Sequence, residues 1–364
     1  MQPTSYISYF ESVTPLGKNT DEILNHMLAG KSGIQTYQDT LASYFTNEQQ
    51  VAWFGHLFDQ NHPTCQVLIE YLLNNYIQET KKDITTIPVI ICSTKGDVNF
   101  LSTENDAPLL QLANAIQSKY QLKTTPIIIS NACISGIHGI IHAHRMITNQ
   151  LANEAIVIGV DAVSDFIRKG FQSLQATSSE RCRPFDANRN GLNFGEGAGM
   201  IVIQKEKTSY QILGGGLSND ANHISGPSRD GSGLANAIHR AIEGYRNKIS
   251  PEHTFVSAHG TATIYNDEME CKAMHTMQLQ NLDTLSYKAY FGHTLGACGV
   301  LETVLGLSSL EKQQLPASLG YDQHGVSLPL TICTSTTTKS YQNFIKTGAG
   351  FGGCNAALLI EKTA

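Results

Sequence analysis

Short runs of β-branched and aliphatic residues alternate with amphipathic stretches along most of this chain. No other feature narrows its fold as far. Residues 87–92, 126–130, 155–160, 199–204 and 254–258 read as buried strands, each a short apolar run bounded by turn formers. Residues 20–30, 105–120, 134–150, 233–246 and 296–311 read as helices. The first of these has Asp21 and Glu22 in its opening turn and Gly30 at its close, as the helix dipole and a left-handed terminus favour. Strands alternating with helices imply sheets covered on both faces, so the fold class is α/β. The 364 residues are enough for a large core or two domains. A polar break at Lys205-Glu-Lys-Thr-Ser-Tyr210 places a boundary near residue 206. The expected units are an N-terminal half over 1–206 and a C-terminal half over 207–364. Each repeats a strand–loop–helix order, but sequence self-similarity is too faint to prove a duplication.

Composition removes several functions. Charged residues make up 15% and hydrophobic residues 41%, which suits a compact, buried chain rather than a disordered one. The net charge of −6, with no basic stripe interleaved with aromatics, argues against nucleic acid as the main partner. The eight cysteines are spaced irregularly and form no C-x-x-C pair. We read reduced thiols in a cytoplasmic protein, with no disulfide framework, zinc knuckle or other metal site. The opening Met-Gln-Pro-Thr-Ser-Tyr has no signal-peptide pattern, and the closing Thr363-Ala364 carries no lipidation signal. No run approaches the roughly 18 apolar residues of a membrane helix. Neither a P-loop nor a dinucleotide fingerprint is present, so no cofactor is expected.

Cys133 follows the run Pro126-Ile-Ile-Ile-Ser-Asn-Ala and precedes an apolar pattern of helical period. That places the thiol at a strand-to-helix turn, where free N–H groups and the helix dipole favour a thiolate. Taken alone, the pattern fits a buried structural cysteine equally well. Further along, Val256-Ser-Ala-His259-Gly-Thr-Ala-Thr263 ends a strand on a histidine, a common place for catalysis, although standing alone it would read first as a surface histidine near a turn. Tyr287-Lys288-Ala-Tyr-Phe-Gly-His293-Thr-Leu-Gly-Ala-Cys-Gly-Val-Leu-Glu302 sets small residues around His293 before a helix. Lys288 alone would read as solvated, and Gly296 and Gly299 as sites of close helix packing. Gly348-Ala-Gly350-Phe351-Gly-Gly-Cys-Asn355 reads as a tight loop whose backbone can approach a ligand. Arg183-Pro-Phe-Asp186-Ala-Asn-Arg189-Asn-Gly-Leu-Asn-Phe-Gly195-Glu-Gly-Ala-Gly199 is rich in turn formers and reads as structural more than catalytic.

In this order, the segments resemble the β-ketoacyl-acyl-carrier-protein synthases, elongating condensing enzymes of the thiolase-like superfamily. Val13-Thr-Pro-Leu-Gly17 and Ala29-Gly-Lys-Ser-Gly-Ile34 resemble the family too, so the likeness covers nearly the whole chain. It implies a layered αβαβα sandwich of two similar halves with mixed five-stranded sheets, the active site between them, and a dimer. It implies that Cys133 attacks an acyl thioester, with the N–H groups of Cys133 and Phe351 holding the oxyanion. It implies that His259 and His293 stabilise the enolate formed when malonyl-acyl carrier protein loses CO₂, giving a β-ketoacyl product two carbons longer. Lys288, with Glu302, would orient the site electrostatically. Phe351 would also gate the acyl pocket, beside Gly350 and Ile134. Thr261 and Thr263 would bind the phosphopantetheine arm of the acyl carrier protein. Among basic residues, Arg189 is the preferred docking candidate for an acidic carrier, ahead of Arg168 and Lys169.

Departures from the family pattern are Ile134-Ser135-Gly136 after the nucleophile, HGTAT in place of HGTGT, Cys354 in place of a frequent threonine, and a shortened stretch before Cys133. They point to a specialised pathway, polyene or polyketide, as an alternative to ordinary fatty-acid synthesis. Three other functions remain open from sequence. A chain-length-controlling subunit of a heterodimer would lack the nucleophile, although this chain could be the active half of such a pair. A thiolase would carry a second cysteine where His293 stands. A CoA-primed synthase would pair Cys and His with Asn355.

Overall fold

The computed structural model describes residues 4–38, 48–52, 54, 64–98 and 107–363. The first strands are β1 (Ser5–Val13), β2 (Ile34–Gln38), β3 (Glu48–Ala52), β4 (Val89–Cys92) and β5 (Ile127–Ile129). Then come β6 (Glu154–Asp161), β7 (Phe194–Gly195), β8 (Gly197–Gln204), β9 (Tyr210–Asn219) and β10 (Thr254–Ser257). The last are β11 (Asp283–Leu285), β12 (Gln314–Leu315), β13 (Thr337–Thr338), β14 (Asn343–Gly350) and β15 (Cys354–Lys362). The helices are α1 (Thr20–Leu28), α2 (Cys65–Thr80), α3 (Pro108–Tyr120), α4 (Ser135–Thr148) and α5 (Asp165–Ser173). They continue with α6 (Ser232–Ile242), α7 (Ile264–Thr276), α8 (Lys288–Phe291) and α9 (Cys298–Lys312). Each strand and helix expected from sequence is present, with ends displaced by a few residues. Residues 105 and 106 of the expected helix 105–120, and 99–106 of the shortened segment before Cys133, lie outside the described residues.

Ten strands form one sheet in the order β11-β10-β14-β15-β9-β1-β8-β6-β4-β5. It divides into two runs with the same topology. From β1 outward the pairings run antiparallel, antiparallel, parallel, parallel through β8, β6, β4 and β5. From β9 outward the same sequence of pairings runs through β15, β14, β10 and β11. The two five-stranded mixed sheets are therefore the halves of one ladder, joined where Ser5, Tyr6 and Ile7 pair with Ile212, Gln211 and Tyr210.

Both faces of each run are covered, which explains the continuous apolar character of the central strands. Along β8, Ile201 and Ile203 face the central core, while Met200 and Val202 face an outer one packed under α2 and α3. Along β15, Leu358 and Ile360 face the same central core, while Leu359 faces the outer core under α6 and α7. Between the runs lie α4 and α9, each touching strands of both halves. The layering is αβαβα.

The two central helices cross closely enough to exclude side chains. A Cβ on Gly136 would lie 2.5 Å from the Val300 nitrogen, and one on Gly299 would lie 2.3 Å from the Ile137 nitrogen. Gly299 thus serves the packing role expected of it. Gly296 does so differently, in the turn before α9, where a Cβ would stand 2.8 Å from the Thr94 nitrogen. Among the described residues, no helix is long and apolar enough to cross a membrane.

Candidate active site

The strand β5 hands over to α4 through a sharp turn, with Ala132 at φ 45°. The Ser135 hydroxyl braces that turn. It accepts the Asn131 N–H at 2.8 Å and donates to the Ala132 carbonyl at 2.7 Å. Cys133 sits on the turn, 7% exposed. Its Sγ lies 3.1 Å from His293 Nε2. The His259 ring meets the His293 ring edge-on, with centroids 5.3 Å apart. Three residues separated by up to 160 positions thus converge on one point.

Long-range contacts hold each histidine. The His259 N–H donates to Glu270 Oε1 at 2.8 Å and to Thr347 Oγ1 at 3.2 Å, and the Gly260 N–H donates to Glu270 Oε2 at 2.8 Å. One buried carboxylate therefore fixes the corner after β10. The His293 N–H donates to the Asn193 carbonyl at 2.7 Å, and the Gly195 N–H donates back to the His293 carbonyl at 3.1 Å. A Cβ on Gly195 would overlap the Phe291 carbonyl at 1.8 Å, so this position admits only glycine. The turn-rich segment 183–199 is structural in this sense: it clamps the second histidine. Asp161 supports the same loop from the other half. It accepts the Gly296 N–H at 2.7 Å and Lys95 Nζ at 2.9 Å.

Both imidazoles are buried, and each Nδ1 lacks a hydrogen-bond partner. A proton on Nδ1 would be a buried donor with nothing to receive it, so the favoured tautomer carries its proton on Nε2, which on His293 faces the Cys133 sulfur. Burial holds both histidines well below the ordinary imidazole value, and Lys288 and Lys346 push them in the same direction. They are neutral donors.

Behind the histidines lies a buried ion triad. Lys288 Nζ contacts Glu302 Oε1 at 2.8 Å, and Lys346 Nζ contacts Glu302 Oε2 at 2.6 Å. Lys346 also donates to the Thr347 carbonyl at 2.7 Å. Burial opposes the charge on all three groups. Mutual attraction wins: Glu302 is held below the usual carboxylate range and Lys288 above the usual lysine range. With two ammonium groups and one carboxylate, the triad is net positive.

The thiol differs from the sequence expectation. Burial pushes Cys133 up to about 11, and the Lys288 charge and the N–H groups of Phe351 and Cys133 itself only partly offset it. The helix terminus therefore does not make a resting thiolate here, because desolvation of the charged sulfur outweighs it. Sγ, with the two imidazole nitrogens, could in principle ligate a soft metal, as donor atoms of all three lie within 4.8 Å of one another. The net positive triad behind them opposes a cation.

Cys133, His259 and His293 open onto a cavity of about 350 Å³. Thr261, Thr263, Gly350 and Phe351 also line it, and the two threonine hydroxyls share a hydrogen bond of 2.9 Å. The Phe351 ring stacks on Phe171 at 4.8 Å. Gly350 lets its loop approach the nucleophile, since a Cβ there would lie 3.1 Å from the Cys133 nitrogen. Ile134 is different. It packs in the central core and does not line the cavity.

The docking candidates are corrected. The Arg189 side chain is only 7% exposed. It donates to the carbonyls of Asp186, Gly325 and Ile264 and lies 3.9 Å from Asp267. It is an internal clamp, spent on backbone acceptors. Arg168 is 3% exposed and pairs with Asp165 at 3.1 Å. Lys169 alone keeps partial exposure. Sequence reasoning missed Lys346, Glu270, Asp161 and Cys298, whose thiol donates to the Cys133 carbonyl at 3.2 Å.

Known proteins place this arrangement. Residues 95–209 match the N-terminal domain of beta-ketoacyl synthases, and residues 210–322 match the C-terminal domain. The chain belongs to the β-ketoacyl synthase family. It is a condensing acyltransferase with the thiolase-like fold. Over 402 aligned positions, this β-ketoacyl synthase is 26% identical to the 3-oxoacyl-[acyl-carrier-protein] synthase 2 of Coxiella burnetii, covering 96% of each chain. It is 32% identical to the Vibrio harveyi protein of the same name over 263 positions, 67% of this chain and 63% of that one. Among solved structures, a ketosynthase in complex with its chain length factor from Xenorhabdus doucetiae superposes with a TM-score of 0.86 at 24% identity, covering 99% of this chain and 98% of that one. A beta-ketoacyl synthase from Burkholderia phymatum gives 0.86 at 23% identity over the full length of both.

Proposed function

We propose that this β-ketoacyl synthase carries an acyl group on Cys133 and extends it by two carbons from malonyl-acyl carrier protein. The contact that carries the proposal is the 3.1 Å approach of His293 Nε2 to Cys133 Sγ, with His259 beside it. As the Cys133 sulfur attacks the acyl thioester, the bond from the acyl carbon to the carrier sulfur breaks and the thiol proton ends on that sulfur, so the carrier leaves as a free thiol. The N–H groups of Cys133 and Phe351 stabilise the developing oxyanion. Malonyl then occupies the cavity, and loss of CO₂ leaves an enolate whose oxygen accepts hydrogen bonds from the Nε2–H of His259 and His293. Two neutral donors suit an oxygen that gains charge only in the transition state. The enolate carbon attacks the acyl carbonyl, and the Cys133 thiolate departs. Lys288, Lys346 and Glu302 set the positive potential under this sequence. No cofactor takes part. Thr261 and Thr263 receive the phosphopantetheine arm, and Phe351 gates the acyl side.

In this proposal the partners are an acyl carrier protein and a second ketosynthase-like subunit, identical or not, in the cytoplasm. Neighbours of the same fold support that choice of partners: one was solved with its chain length factor and another with an acyl-carrier protein. The pathway is of fatty-acid or polyene and polyketide type. We place the boundary between the halves at 206/207. A purely chain-length-controlling role is disfavoured by the intact thiol–imidazole contact.

Intact-mass spectrometry after incubation with acyl-carrier thioesters tests the proposal. A mass gain equal to the acyl group, absent in Cys133→Ala, is expected. No gain from any donor, alone or with a co-expressed partner, would overturn it.

A further inference from the structure

The mouth of the cavity carries exposed apolar side chains, among the polar Gln175 and Asn190, where a charged docking surface was expected. Leu174, Ile264 and Tyr265 line the cavity and are nonetheless 51%, 59% and 74% exposed. Ile224, 75% exposed, stands beside the lining residue Ser225. Single exposed apolar residues are ordinary; four around one opening are not. Ile264 and Tyr265 occupy the first turn of α7, where helices favour polar side chains. The Ile264 carbonyl is held from beneath by Arg189 Nη2 at 3.3 Å, so the first turn is anchored.

Basic residues are missing from the cavity wall. Among the described residues, no lysine or arginine lines the cavity, and its only charged side chain is Asp220. Every lysine and arginine of the chain falls within the described residues, since the remainder contains neither. Of the three basic candidates the sequence offered, Arg189 and Arg168 are buried and paired, and only Lys169 is half-buried.

A cavity of about 350 Å³ admits a thioester arm and no folded carrier. The body of whatever delivers the arm must rest on the rim. We infer that Leu174, Ile224, Ile264 and Tyr265 form the docking surface for a carrier domain that presents an apolar helix face around its arm. Given the acyl transfer proposed above, recognition on this chain is hydrophobic rather than electrostatic. The net charge of −6 gives the same direction. An acidic carrier is repelled at long range, so added salt screens repulsion instead of removing attraction.

The test compares an octanoyl group on a fatty-acid-type acyl carrier protein with the same group on pantetheine, which lacks the carrier body. Acylation of Cys133 is followed by intact mass at 50 and 500 mM NaCl. Wild type should keep or raise its carrier-dependent rate in high salt. Tyr265→Ser and, independently, Ile224→Ser should each raise KM for the carrier substrate about tenfold, and at least fivefold more than KM for the pantetheine thioester. A carrier rate that collapses in high salt, or variants that raise both KM values equally, would overturn the docking surface while leaving acylation intact. Failure of both thioesters to acylate wild type would instead remove the condensing reaction beneath it.

Discussion

Cys133 is an acid too weak to ionise by itself at neutral pH, and that has a measurable signature. Its thiol is pushed up to about 11 by burial, so below that value each unit of pH adds about tenfold more thiolate. Iodoacetamide should therefore modify Cys133 at a rate that climbs steadily from pH 7 into the alkaline range, without a plateau near 8.5, measured by mass per site. Lys288 is the leading attraction that lowers the thiol. Lys288→Met should shift the profile to still higher pH; a profile unmoved by the substitution would mean that its charge is not felt at the sulfur. The nearby Glu302 predicts a stability effect. Glu302→Gln leaves two ammonium groups buried with one neutral partner, a change that costs about 3–5 kcal/mol. Because its folded pKa is depressed, the stabilisation by Glu302 is present above the ordinary carboxylate range and is lost as pH falls through the folded value. Urea midpoints of wild type and variant should differ most at neutral pH and converge in acid. Cys133, His259 and His293 were legible in sequence only through the order of the motifs that carry them and the family resemblance of that order; each taken singly read as well as a structural or surface residue. Lys346 was not, since within Asn343–Gly350 it reads as an ordinary polar position of a strand. Arg189 misled for the opposite reason: a charge among turn formers reads as surface, and only the carbonyls around it reveal otherwise.

Among the elements, the α4–α9 crossing sets the distance between nucleophile and histidine. Cys133 precedes α4, His293 precedes α9, and the two helices meet backbone to backbone at Gly136 and Gly299. A methyl group at either site must push them apart. Gly136→Ala and Gly299→Ala should each lower the melting temperature, and whatever folded protein remains should lose acylation by more than its loss of stability explains. Normal acylation by a destabilised Gly299→Ala would show that the crossing is not what aligns the site. The buried strands were readable because their apolar runs are short and bounded. The pairing of β1 with β9 was not, because an edge junction of three residue pairs leaves no periodicity behind.

For the whole molecule, shared burial makes the halves interdependent. The central core draws Ile137 and Ile141 from the first half and Val300, Val304 and Leu358 from the second. Cutting the chain between 206 and 207 would leave each piece with an uncovered apolar layer. Fragments 1–206 and 207–364 expressed singly should aggregate, while their co-expression should recover a soluble complex that is acylated at Cys133. Soluble, separately melting fragments would contradict that dependence. The layered fold was legible once alternating elements and ordered motifs were combined. The repeat was faint because the halves share pairings and hardly any residues.

The matching strand orders carry one last consequence. α4 follows β5 as α9 follows β11, so the turn bearing Cys133 and the turn bearing His293 are counterparts. The molecule owns two copies of a single corner, rotated to face each other, and has taught them different trades. One copy supplies the sulfur that receives the chain, and the other supplies the nitrogen that meets it.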